Sequence, residues 1–305
     1  MWSNKRFKRF WKISVPLYLV VLLVLNGFLL GLASSLAFRS IPQTSNPEVS
    51  SELLEELKRK VLPSGGYETQ LTWGDIGKKL VEVGAIDEEG FKELFKSPAE
   101  GSQELDILKG NSSKPISINE NNSHFVLNAL WAFGLTQKSK VLDEGPMKNG
   151  EYDLGNFAST AGWTLGVKDA LELYSSYSFV QLNDFQQDLV EKIAEGVYRP
   201  CCGNHTAFPD CNHGMAALAL IELEVAAGIP EEQIYKDLLA FNSFWFSDTY
   251  LKMAAYFDEQ GTDWADVDPK VALSADYSSA EGAQRVASEV AGVPGFEGGG
   301  GSCGI

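Results

Sequence analysis

The sequence predicts an all-α fold made of a single N-terminal transmembrane helix, a helical extracytoplasmic domain and a flexible Gly-rich C-terminal tail. Three observations carry that expectation. Residues 15–37 form a stretch of 23 without a charge, enough to cross a hydrocarbon core that takes about 20. Further on, apolar residues recur at helical spacing while sustained period-two alternation is missing, so a major sheet is not expected. Five of the last eight residues are glycine, a composition that reads as a flexible coil.

Residues 1–12 are a basic cytoplasmic flank holding Lys5, Arg6, Lys8, Arg9 and Lys12. That flank keeps its own side of the membrane and sends the C-terminal bulk across. Residues 13–38 are then a transmembrane signal-anchor. Ser35-Leu36-Ala37 also has the spacing a signal peptidase reads, and cleavage after Ala37 would make the protein secreted. The apolar run exceeds the usual signal-peptide core, which favours the uncleaved anchor.

Residues 39–118 are expected as a polar linker and a small helical hairpin. Ahead of the hairpin, residues 51–61 are a charged helical pattern that stops at Pro63-Ser64-Gly65-Gly66. A second opens with a Thr72/Asp75 capping pair and sets Trp73, Ile76, Leu80 and Val81 on one face, ending at Gly84. Asp87 caps a third, short helix, and residues 97–118 are polar and irregular. Residues 119–290 form the main all-α domain. Asn121-Asn-Ser opens a helix through Phe125 and Trp131. Asn183 caps an amphipathic one carrying Phe185, Leu189, Val190, Ile193 and Val197. Pro209-Asp210 introduces a helix running to Ala227, and Pro230-Glu-Glu starts the next. Asp248 caps another, and Ser278 with Glu281 makes a last capping box. Residues 291–305 are the tail, which carries Cys303.

Residues 1–39 contain six basic and no acidic residues, so the rest of the chain has 19 basic against 41 acidic residues, a formal charge of −22. Such a domain repels phosphate backbones, and no nucleic-acid partner is expected. Beyond its anchor it would be repelled by an anionic membrane surface too.

Chemistry is concentrated at residues 201–213, where Cys201, Cys202, His205, Cys211 and His213 place five soft or borderline ligand atoms within 13 residues. Thiolates and imidazoles suit zinc or copper, so these five are the candidate metal ligands. Thiol redox chemistry is the companion reading. With Asp210 as N-cap, Cys211 would sit at N1, where the helix dipole favours a thiolate, and Cys303 on the tail could exchange with it. A thiol partner protein fits that reading. The alternative is a structural or interaction domain in which these cysteines form only a stabilising disulfide. A cysteine hydrolase or transferase built on Cys202 or Cys211 with His124 or His213 has no sequence signature behind it, and whether the protein is an enzyme stays open. The acidic group Asp258, Glu259, Asp263, Asp266 and Asp268 lacks the spacing of a calcium loop and reads as solvated.

Cys211-Asn-His213-Gly resembles the Cys-His-Gly helix start of the lanthionine cyclases, helical toroids that bind zinc. The resemblance covers four residues, Asn212 interrupts the motif, and it implies no activity for this chain.

Overall fold

A computed structural model of the protein describes residues 47–149, 152–293 and 296. Helices dominate them, with one two-stranded antiparallel sheet among the described residues. None of the described helices is long and apolar enough to cross a membrane. The expected anchor at residues 13–38 and the end of the tail with Cys303 lie outside the described residues.

The first helix, α1 (Pro47–Val61), buries Leu57 and Val61 and packs on a later helix of the main segment. Lys60 near its end pairs with Asp263 at 2.5 Å and with Glu56 at 2.8 Å, so one member of the acidic group expected to be solvated is tied to α1.

The helix expected to start at Thr72 begins later, because residues before it form a strand. Strand β1 (Tyr67–Gly74) pairs with β2 (Ser112–Ile118), matching Tyr67 with Ile118 and Gly74 with Ser112. Tyr67, Thr69, Leu71 and Trp73 turn inward while Glu68, Gln70 and Thr72 face out, which is period-two alternation. Trp73 is therefore a strand residue, and it is fully buried. Asp75 makes no side-chain cap on α2 (Ile76–Glu82). Its carboxylate instead accepts the Asn111 N–H at 2.7 Å and holds the approach to β2. Helix α3 (Glu88–Leu94) is capped by Asp87 as expected, its Oδ1 accepting from the Glu89 N–H. Residues 97–118 are folded: two 3₁₀ segments, Pro98–Glu100 and Ser102–Lys109, lead into β2 and bury Ile107 and Leu108.

Two helices form the centre. In α4 (Ser123–Thr136) every residue from 125 onward is buried, and further along the chain α6 (Asn212–Ala227) is buried from His213 through Val225. A helix apolar all round belongs inside a protein. Gly134 lets the two approach closely, since a Cβ there would collide with the Met215 carbonyl. Between them in sequence lies α5 (Asp184–Glu195), with the Asn183/Gln186 capping box in both directions.

The helix α7 (Glu231–Trp245) starts after Pro230 as read. In α8 (Ser247–Glu259) the N-cap is Phe246, while Asp248 sits in the first turn and pairs with Lys252. In α9 (Ala280–Glu289) the cap is Ser279, whose hydroxyl accepts from the Gly282 N–H. Ser278, expected there, is buried instead and bonds the Tyr250 hydroxyl and the Ala272 carbonyl. One apolar core runs through Leu57, Trp73 and Phe91 of the first segment and Leu130, Leu220, Leu238 and Val286 of the second. It continues to Val293 and Phe296, so the start of the expected tail is packed.

Candidate metal and thiol site

The site is a loop folded back on itself before α6. After α5 the chain pairs Tyr198 with His205 as an isolated antiparallel bridge, and the Thr206 N–H donates to the Val197 carbonyl at 2.8 Å. The loop is pinned from outside as well: the Ala280 N–H, opening α9, donates to the Cys202 carbonyl at 2.9 Å. The Ser159 N–H donates to the Asp210 carbonyl at 3.0 Å.

At its centre is Arg199, 1% exposed. A buried guanidinium is tolerable only when its donors are met and its charge is matched. Here Nε donates to Cys211 Sγ at 3.1 Å, and Nη1 to the Asn204 carbonyl at 3.2 Å. Nη2 donates to the Phe208 carbonyl at 3.0 Å and to Asp210 Oδ1 at 2.6 Å. Asn204 Nδ2 donates to the other Asp210 oxygen at 2.8 Å. The carboxylate is thus engaged by Arg199 and Asn204, and Cys211 is the N-cap of α6 in place of Asp210, its Sγ accepting the Gly214 N–H at 3.4 Å. Gly214 is required by the same geometry, because a Cβ there would lie 2.6 Å from Arg199 Cζ.

Three of the expected ligands converge on one place. Ligand atoms of Cys201, Cys211 and His213 lie within 4.8 Å of one another, and those of Cys202, Asp210 and Cys211 form a second set that shares Cys211. The Cys201 and Cys211 sulfurs are 3.5 Å apart. A disulfide needs about 2.05 Å, and all three of these cysteines are free. A tetrahedral ion with sulfur ligands at about 2.3 Å would separate them by about 3.8 Å. His213 is buried on the first turn of α6, its ring 4.4 Å from that of Phe246 and 5.9 Å from that of Trp245.

The cluster concentrates negative charge on one sulfur. Hydrogen bonds from the Cys201 and Cys202 thiols, then the Arg199 guanidinium and His213, hold the Cys211 thiol well below its usual range against the opposing effect of burial. Cys201, bonded to Cys202 and Cys211, is pushed up. The bond with Cys201 favours the Cys202 thiolate, but the bond to Cys211 and burial outweigh it and push Cys202 up to about 11. One thiolate with two thiols beside it is the arrangement that results.

His205 joins neither set. Its ring packs against Tyr198 at 5.8 Å, burial lowers its pKa, and its Nδ1 is buried without a partner among the described residues. His124 also lies outside both sets, with its ring edge on Phe95. Arg199 and Asn204 are parts of the site that the sequence reading does not assign, and Asp210 serves there as the partner of Arg199 rather than as the helix cap. The available signal was a single arginine two residues before a cysteine pair, with one acid in the same loop.

No protein-family model matches the chain, no curated protein matches it and no solved structure matches it.

Proposed function

We propose that Cys201, Cys211 and His213, with Cys202 beside them, hold a soft or borderline transition-metal ion, zinc or copper. The observation that carries this is the convergence of the Cys201 and Cys211 sulfurs and the His213 imidazole, with the two sulfurs at a separation too long for a bond and close to that of two ligands on one ion. Arg199 supports the reading by holding Cys211 as the anionic donor that such ions require. Asp210 shares the guanidinium with Cys211, its Oδ1 accepting from Nη2 at 2.6 Å, so the buried cation is matched by two anionic neighbours. The protein would carry this site outside the cytoplasm, tethered by residues 13–38, a placement that rests on the N-terminal sequence.

The test is elemental analysis of the full-length chain purified anaerobically without chelator. Near-stoichiometric zinc or copper, lost in Cys211→Ser and in His213→Ala, is the expected result. A metal-free protein that takes up neither zinc nor copper(I) would sink the proposal.

A second reading has its own support. Cys201 and Cys211 need to approach by only about 1.5 Å to bond, so the pair suits thiol-disulfide exchange, with Cys303 as the auxiliary thiol. A permanent staple, by contrast, would leave the Cys201 and Cys211 thiols unreactive toward alkylating reagents in the untreated protein.

A further inference from the structure

We infer that the cluster is also a switch answering hydroperoxides, in which oxidation joins Cys211 to Cys201 and releases the metal. The inference rests in part on the metal reading above: release requires a bound ion, whereas the oxidation step does not.

Three features of the loop argue for it. The Cys211 sulfur faces two N–H donors, Arg199 Nε at 3.1 Å and the Gly214 amide at 3.4 Å, which hold it as a nucleophilic anion. The second sulfur is already 3.5 Å away, on a different element. Cys211 is fixed at a helix start, while Cys201 lies in a loop followed by Gly203, around which there is open space. The moving partner is therefore the loop cysteine. All three cysteines are partly exposed, within reach of a small oxidant. The Cys202 sulfur also lies within 4.8 Å of the Cys211 sulfur, but its thiol is turned to Asp210 Oδ1 at 3.8 Å. The first bond is assigned to Cys201, the sulfur at 3.5 Å.

The chemistry balances as follows. The Cys211 thiolate attacks the hydroperoxide, forming S–O as O–O breaks, and the leaving hydroxide or alkoxide takes up a proton. Cys201, giving up its proton, then displaces water from the sulfenic acid, forming S–S as S–O breaks. Two thiols lose two electrons, and the peroxide is reduced to water, or to an alcohol and water. Both sulfurs of the first ligand set are consumed. An ion left with Cys202 and His213 has lost two of its sulfur donors and departs. Arg199 then has Asp210 as its one remaining anionic partner.

The experiment uses the full-length chain loaded with zinc under anaerobic conditions. One equivalent of hydrogen peroxide is added while a chromophoric chelator reports free zinc, and the products are mapped by mass spectrometry. Expected are a Cys201–Cys211 bridge and release of zinc in step with it. In Cys201→Ser, a sulfenic acid trapped at Cys211 by dimedone should replace the bridge. Arg199→Lys, provided it retains its helical signal, should slow the first step at least tenfold. Bound zinc with thiols untouched by peroxide, or a bridge between Cys201 and Cys202, overturns the switch while leaving the metal reading intact. A Cys201–Cys211 bridge formed in a chain that takes up no metal overturns the release step and the metal reading together, and supports the oxidation step.

Discussion

Helix α6 buries ionisable groups at two places along its length. At its N-terminus, Cys211 and Asp210 share the guanidinium of Arg199, and every charge there has an opposite neighbour. About three turns on, Glu222 and Glu224 are fully buried, and neither carboxyl has a hydrogen-bond partner within bonding distance at either oxygen among the described residues. Burial drives both away from ionisation. Glu222 is raised well above the usual carboxylate range, with Ser139 beside it, and Glu224 is pushed up to about 11 by burial and by the facing Asp237. Asp237 in turn accepts from the Tyr67 hydroxyl of β1 at 2.5 Å and from Gln233 at 2.6 Å. One helix thus shows two solutions to the same problem. Where a cation is built in, the anion stays charged and is available for chemistry. Where none is present, the acid keeps its proton and acts as a neutral polar group.

Replacing Arg199 should break the first solution outright. Arg199→Leu leaves the Asp210 carboxylate and the Cys211 sulfur without their counter-charge, which costs about 3–5 kcal/mol for a buried pair broken on one side. Denaturant unfolding at neutral pH measures it. A loss under about 1 kcal/mol would show that water already screens the loop.

Glu224→Gln addresses the second solution through pH. Below about 4.5 both folded and unfolded chains hold the proton, and the wild-type stability is fully present. From there up to about 11 only the folded chain holds it, so stability falls as pH rises. The slope is about 1.4 kcal/mol per pH unit for each such carboxyl. Glutamine removes that slope, so the variant should gain on the wild type progressively between pH 5 and pH 9. Parallel stability curves would mean that Glu224 ionises without cost.

Smaller changes sharpen the contrast. Gly214→Ala drives a methyl into the pinned guanidinium and should cost about 1–3 kcal/mol, with zinc uptake weakened alongside. Tyr67→Phe removes one donor to Asp237 and leaves the cysteine loop untouched. Its expected cost is about 1 kcal/mol, with metal binding and thiol reactivity unchanged.

The sequence disclosed those parts whose signals are local. Asn183 before an amphipathic run and Pro230 with two glutamates each announce a helix start, and both starts stand. Strand β1 was missed because its alternation runs through Thr69 and its partner lies some forty residues on, so nothing nearby marks it as extended. At the site, composition was enough to pick out the loop. Choosing His213 over His205 was beyond it, since that depends on His205 lying against Tyr198 while His213 rides on the first turn of α6. The capping residue was misassigned for a related reason. Asp210 is the better cap by chemistry, but Arg199 and Asn204 had already claimed its oxygens.

The bond from the Ala280 amide to the Cys202 carbonyl makes the start of α9 hang from the cysteine loop. Mechanically, it is a pin joining the site to the last of the described helices. Residues 201–203 and the opening turn of α9 are in this way tied into one hydrogen-bonded unit, with Val293 and Phe296 packed in the core beyond the helix.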